Sequence, residues 1–158
     1  MSLGCASGPK VGRRAPSFEG VDGAGRRLSL ADYKGKAVVM YFWATWCAPC
    51  AVSGPAIETL HERYSQSPDV VVVGVHYDNK GDPEAYHQKR GFTFEIIPDG
   101  REVVARYGIK KIPSFVIVGA DGVVLHNQVG YSKGDEQKFA TIVDTHLDAD
   151  SRDSQEKF

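Results

Sequence analysis

The two cysteines of the stretch FWATWCAPCAVSGP, Cys47 and Cys50, are the residues of this chain whose type and spacing are best suited to chemistry. Thiols separated by two residues serve as metal ligands, as a structural staple, or as a pair that trades electrons with another disulfide. A structural zinc site takes a second Cys or His pair at characteristic spacing, and His61, His76, His87, His126 and His146 form none. The remaining cysteine, Cys5, stands far along the chain from the pair. A staple across two residues closes too small a loop to restrict the unfolded chain much. Exchange is the chemistry that remains.

Exchange needs a thiolate, and a free thiol with a pKa of about 8.5 supplies little of it at neutral pH. The elements around the cysteines answer that need. KAVVMYFWA (36–44) is a nearly continuous apolar run rich in strand formers, which predicts a central strand buried on both faces. After it, Ile57, Leu60, His61 and Tyr64 recur at the spacing of one helix face, so the cysteines fall at a strand-to-helix turn. Pro49 suits an early helical position, whereas Pro55 should remove a hydrogen bond and kink the axis. Cys47, at the helix start, faces unpaired N–H groups and the positive end of the helix dipole, which makes it the expected nucleophile. Cys50, one turn deeper, is placed to resolve the mixed disulfide that Cys47 forms. Ala48 and Pro49 between them tune the potential.

The rest of the chain reads as a frame for that turn. SFEGVDGAGRRLSL (17–30) predicts a hairpin, and DVVVVGVHY (69–77) a second buried strand. Asp82, Pro83 and Gly91 outline a helix by cap, first position and stop. Asp99 and Glu102 stand in the relation of a capping box, with Val103, Val104 and Tyr107 on one face and Gly108 as terminator. PSFVIVG and VVLHNQVG flank the turn ADG, and a closing amphipathic helix points Phe139, Ile142, Val143 and Leu147 inward. Strands alternating with helices, closed by a hairpin, imply an α/β domain: a central mixed sheet covered on both faces, in three layers, with an extra N-terminal β-hairpin.

At 158 residues the chain is one domain by size, expected at 15–147 between a flexible leader (1–14) and a polar C-terminal tail (148–158). A net charge of −1, with no basic block, argues against nucleic acid as partner. The start MSLGCASGPK holds no apolar segment of signal-peptide type, yet LGC resembles the end of a bacterial lipoprotein signal. Cys5 is therefore either a lipid attachment point or an incidental thiol.

Trp46-Cys47-Ala48-Pro49-Cys50 after YFWAT, Pro55 beyond it, Ile112-Pro113-Ser114 opening a strand and Gly130 after the last hairpin together resemble the thioredoxin superfamily. The leader APSFEGVDGAGRRLSLADYKGK resembles the N-terminal hairpin of the TlpA/ResA group, bacterial extracytoplasmic thiol–disulfide oxidoreductases related to the redoxins. The resemblance implies the thioredoxin fold and a redox-active disulfide in place of any bound cofactor or metal. It implies that Pro113 is cis against the cysteines and that Ile112 offers main-chain groups to an extended substrate segment. Trp43 is expected in the core, and Trp46 as a partly exposed wall of the docking surface. One position departs from the thioredoxins proper: Tyr41 stands where they carry a buried aspartate. Asp78, just after the next strand, falls where the ResA-like group has an acidic residue near the cysteines, and is the expected proton relay; its alternative is a loop cap. His76 reads as a core or rim histidine.

By that resemblance the chain is a monomeric reductase of protein disulfides in the bacterial periplasm or another extracytoplasmic site, with a cytoplasmic place still open. Its partners are disulfide-containing proteins, such as apocytochromes in cytochrome c maturation or metal-site cysteines, and a thiol electron donor in the membrane. Two other functions stay open: a thiol peroxidase of redoxin type, and a copper-handling assembly factor using the same cysteines, since soft thiolates suit Cu(I).

Overall fold

The computed structural model describes residues 6–156, so Cys5 lies outside the described residues. Eleven strands and helices follow one another, with a short 3-10 turn (Leu30–Tyr33) after the second strand: β1 (Glu19–Val21), β2 (Arg27–Ser29), β3 (Ala37–Trp43), α1 (Ala48–Arg63), β4 (Val70–His76), α2 (Pro83–Arg90), β5 (Glu95–Ile97), α3 (Arg101–Tyr107), β6 (Ser114–Val118), β7 (Val124–Val129) and α4 (Asp135–Glu156). β1 and β2 form the expected antiparallel hairpin; the remaining strands form a mixed sheet in the order β5-β4-β3-β6-β7. β3 lies at its centre, parallel to β4 and antiparallel to β6.

The continuous apolar run of β3 has the structural consequence expected of it, because all seven of its residues are buried. Side chains alternate across a strand. Ala37, Val39, Tyr41 and Trp43 enter a core shared with Ile57 and Leu60 of α1 and with Phe139 and Val143 of α4. Val38, Met40 and Phe42 enter a second core with Leu28 of the hairpin and Val103, Val104 and Tyr107 of α3. This is the three-layer α/β architecture with the hairpin appended, and it delivers the chain from the buried C-terminal end of β3 straight into α1.

Four local features differ from the sequence reading. β5 was not anticipated: three residues at a sheet edge are too few to show a period, and they pair only with β4. The capping box at Asp99 and Glu102 does not form. α3 is capped by Gly100 with no side-chain cap, and the Asp99 carboxylate instead binds the Arg101 side chain at 2.8 and 2.9 Å. A Cβ at position 100 would run into the His76 carbonyl, so the helix begins where only glycine fits. The leader is tied down from residue 7, against the flexible segment expected over 1–14: Ser7 Oγ accepts Lys110 N–H at 3.0 Å, and Gly8 N–H donates to the Gly108 carbonyl at 3.0 Å. Finally, α4 continues to Glu156, past the expected end at 147, since no Gly or Pro interrupts it and its last residues need only face water.

Candidate active site

Cys47 and Cys50 are joined as a disulfide with their Cα atoms 5.2 Å apart, at the turn from β3 to α1. Cys47 is the N-cap of α1, in extended conformation, and its Sγ accepts the Cys50 main-chain N–H at 3.3 Å. The same donor that would otherwise be orphaned at a helix start thus points at the sulfur. Pro49 occupies the first turn, where its missing N–H removes nothing. α1 continues through Pro55 to Arg63.

The two sulfurs differ in access. Cys47 is 7% exposed and Cys50 2%, while Trp46 on the outer side is 56% exposed. Ala48, Pro49 and Val52 are exposed beside it, so the disulfide sits in an apolar rim. Ile112, half-buried, packs on the core cluster that contains both cysteines. The Ile112–Pro113 peptide bond is cis, and the Pro113 carbonyl accepts the N–H of Gly130 at 2.8 Å. Among the described residues, no main-chain hydrogen bond uses the N–H or carbonyl of Ile112.

Behind Cys50 there is no carboxylate at the position of Tyr41. The buried Tyr41 hydroxyl donates to the Cys50 carbonyl at 3.0 Å and lies 2.8 Å from Ser53 Oγ. Ser53 Oγ stands 3.2 Å from that carbonyl as well. Burial pushes the Tyr41 phenol above its ordinary range, so this pair of hydroxyls is neutral at any working pH. The departure at Tyr41 was visible in the sequence, but its partner Ser53 was not, because nothing marks one serine of a helix as buried.

Asp78 does not meet either sulfur through a hydrogen bond. Its Oδ2 accepts Trp46 Nε1–H at 3.0 Å, its Oδ1 accepts Lys80 N–H at 2.9 Å, and its carbonyl lies 2.7 Å from His76 Nδ1. His76 is buried with both ring nitrogens engaged, because Nε2 accepts Thr45 N–H at 3.1 Å. Trp43 is in the core, as expected, but its Nε1 is buried with no partner. His87 Nε2 is likewise buried and unpaired, in a cage of Trp43, Phe92 and Phe94. A buried carboxylate that sequence reasoning passed over, Glu58 on α1, accepts Thr93 N–H at 2.9 Å. Among the described residues no group of three or more His, Cys, Asp or Glu is placed to hold a metal ion, and no helix is long and apolar enough to cross a membrane.

A disulfide capping the helix that follows the central strand of a mixed sheet, in a chain with a cis proline just before β6, defines a thiol–disulfide oxidoreductase of thioredoxin fold. The chain belongs to the AhpC/TSA family, whose signature spans residues 11–127. It is 34% identical to the thioredoxin-like protein YneN of Bacillus subtilis (strain 168) over 125 residues, 78% of this chain and 74% of that protein. It is 28% identical over 123 residues to the thiol–disulfide oxidoreductase ResA of Bacillus thuringiensis (strain Al Hakam), covering 77% of this chain and 70% of the relative. The crystal structure of a thiol:disulfide interchange protein of the thioredoxin family from Chlorobium tepidum TLS superimposes with a TM-score of 0.75 at 28% identity, over 88% of this chain and 99% of that one. Fold and class of activity are those the sequence led us to expect.

Proposed function

We propose that the chain works as a reductase of protein disulfides, with Cys47 as the attacking thiol and Cys50 as the resolving one. The observation that carries this is the position of Cys47 as N-cap, its sulfur receiving the Cys50 N–H at a helix N-terminus. A thiolate formed there gains a hydrogen bond and the helix dipole, which bring cysteine pKa values in such motifs to roughly 3.5 to 7.5. Cys50, deeper and backed by neutral hydroxyls, has no such support.

The reduced pair would act in two displacements. The Cys47 thiolate attacks one sulfur of the substrate disulfide; that bond breaks, a mixed disulfide forms, and the departing thiolate takes a proton. Cys50 then loses its proton and attacks Cys47 Sγ. The Cys47–Cys50 bond forms, the second substrate thiol leaves, and two electrons have passed to the substrate. A thiol donor must reduce the pair again. Asp78, hydrogen-bonded to the residue before Cys47, is the group we assign to relaying the Cys50 proton to solvent.

Substrate recognition would use the apolar rim of Trp46, Ala48 and Pro49, with the free main-chain groups of Ile112 and the cis turn at Pro113 pairing to an extended segment. The resemblance to the ResA group supports protein substrates outside the cytoplasm, including apocytochromes and metal-site cysteines, and a membrane thiol donor. The test combines two measurements: the Cys47–Cys50 reduction potential in thiol buffers, and trapping with a Cys50→Ala variant. A strongly reducing potential and a stable mixed disulfide through Cys47 support the reading. An oxidising potential would recast the protein as an oxidase or isomerase, and peroxide consumption or tight Cu(I) binding without exchange would replace it altogether.

A further inference from the structure

The hydrogen bonds that hold the segment just ahead of Cys47 converge on one buried side chain. His76 ends β4, stands in register with Trp43, and is inaccessible to solvent. Its Nε2 accepts the Thr45 main-chain N–H at 3.1 Å, and its Nδ1 faces the Asp78 carbonyl oxygen at 2.7 Å. A main-chain N–H only donates and a carbonyl only accepts, so these two partners require the neutral ring with its proton on Nδ1. Asp78 carries the linkage onward. Its Oδ1 stands 3.4 Å from Nδ1, and its Oδ2 accepts the indole N–H of Trp46 at 3.0 Å. Thr45 by its main chain and Trp46 by its side chain are therefore both tied to the end of β4. The surrounding wall closes on this linkage through two glycines: a Cβ at Gly81 would strike Thr45 Oγ1, and one at Gly100 the His76 carbonyl.

We propose that His76 is a positioning residue of the redox centre, whose unprotonated Nε2 holds Thr45, and through it Trp46 and Cys47, where the Cys47 sulfur receives the Cys50 N–H. A second proton on the ring sets N–H against N–H at Thr45, so the brace exists only while His76 is neutral. The charged groups near it are Asp78 in the loop after β4 and the Asp99–Arg101 pair at the start of α3. From β3 the indole of Trp43 meets it edge to face, with ring centres 5.2 Å apart.

This inference rests on Cys47 being the attacking thiol. The test compares wild type, His76→Gln and His76→Phe at neutral pH in the rate of Cys47 alkylation by iodoacetamide in the reduced protein and in reduction potential. Gln places an acceptor near the Nε2 position and cannot be protonated; Phe fills the space with no acceptor. His76→Phe is expected to slow Cys47 about fivefold to tenfold at neutral pH, the equivalent of one lost hydrogen bond, and to shift the potential. His76→Gln is expected to stay within about twofold of wild type in both readouts, because its amide oxygen accepts the Thr45 N–H. Wild-type rate and potential in His76→Phe, with only a lowered melting temperature, would overturn the proposal, as would a loss in His76→Gln equal to that in His76→Phe. Should His76→Phe fail to fold, hydrogen exchange of the Thr45 amide decides: protection in wild type and in His76→Gln supports the proposal, and a freely exchanging amide in wild type overturns it. A wild-type pair that never exchanges with disulfides would refute the proposed function itself, a result distinct from variants that exchange normally.

Discussion

Acid should destabilise this protein through His87, and the size of the effect follows from its cage. The imidazole is 6% exposed, meets the rings of Trp43, Phe92 and Phe94 at 5.6, 5.4 and 4.4 Å, and leaves Nε2 without a partner. Burial lowers its pKa from 6.5 to about 4, with the Glu58 carboxylate opposing part of that shift. The unfolded chain therefore binds a proton below pH 6.5 that the folded protein refuses until about pH 4. Stability from this group is complete above the unfolded value and is lost as pH falls through the window between the two. Integrating the linkage from about pH 8 to pH 5 gives a loss of about 2 kcal/mol, or roughly 4 to 8 °C in melting temperature for a chain of this size. The assay is denaturant unfolding of the oxidised protein across that range, for wild type and His87→Leu. The variant should remove about 2 kcal/mol of the wild-type fall, whatever its absolute stability. Identical pH slopes in the two proteins would refute the argument.

Other outcomes follow from the same geometry. Tyr41→Phe removes the hydroxyl from the Cys50 carbonyl and Ser53, and should cost about 1 kcal/mol in urea unfolding. Because the lost group is neutral, the pH profile of thiol alkylation should keep its shape. Gly100→Ala forces a methyl into the His76 carbonyl and should destabilise by about 1 to 3 kcal/mol or more, measured by thermal unfolding. Trp46→Ala should raise KM for a protein disulfide severalfold while leaving the rate with a small aromatic disulfide within about twofold, because the exposed indole contacts only large substrates. Equal losses on both substrates would assign Trp46 to the chemistry instead.

What the sequence disclosed and what it concealed divide along physical lines. The buried strand β3, the hairpin turns, the α2 cap at Asp82 and the αL stops at Gly91 and Gly108 are local consequences of residue type, and all were readable. Cys47 at a helix N-cap was readable too, because a strand pattern ending where a helix pattern begins leaves little choice of geometry. The capping box at Asp99 was misleading, since the N-cap is Gly100, which passes so close to the His76 carbonyl that only a residue without Cβ fits, a long-range contact that no local pattern shows. The brace of Thr45, His76, Asp78 and Trp46 was hidden for the same reason: it joins two strand ends that are distant in sequence, and only the β3–β4 register brings them together. Ser53 and Glu58 differ from exposed helical residues only in what packs over them.

The complete burial of β3 bears on where motion can arise during turnover. Amides in a central strand paired on both sides exchange with solvent only through large openings, whereas loops with few buried contacts open at little expense. The disulfide lies at the boundary between these regimes, beginning three residues past Ala44 on one side and ending in the first turn of α1 on the other. Hydrogen exchange compared between the oxidised and reduced protein should therefore leave Val38–Phe42 unchanged, at the slowest rates in the molecule. The redox-dependent differences should collect at residues 45–50, 77–82 and 111–113, so that opening of the site does not require loosening of the core.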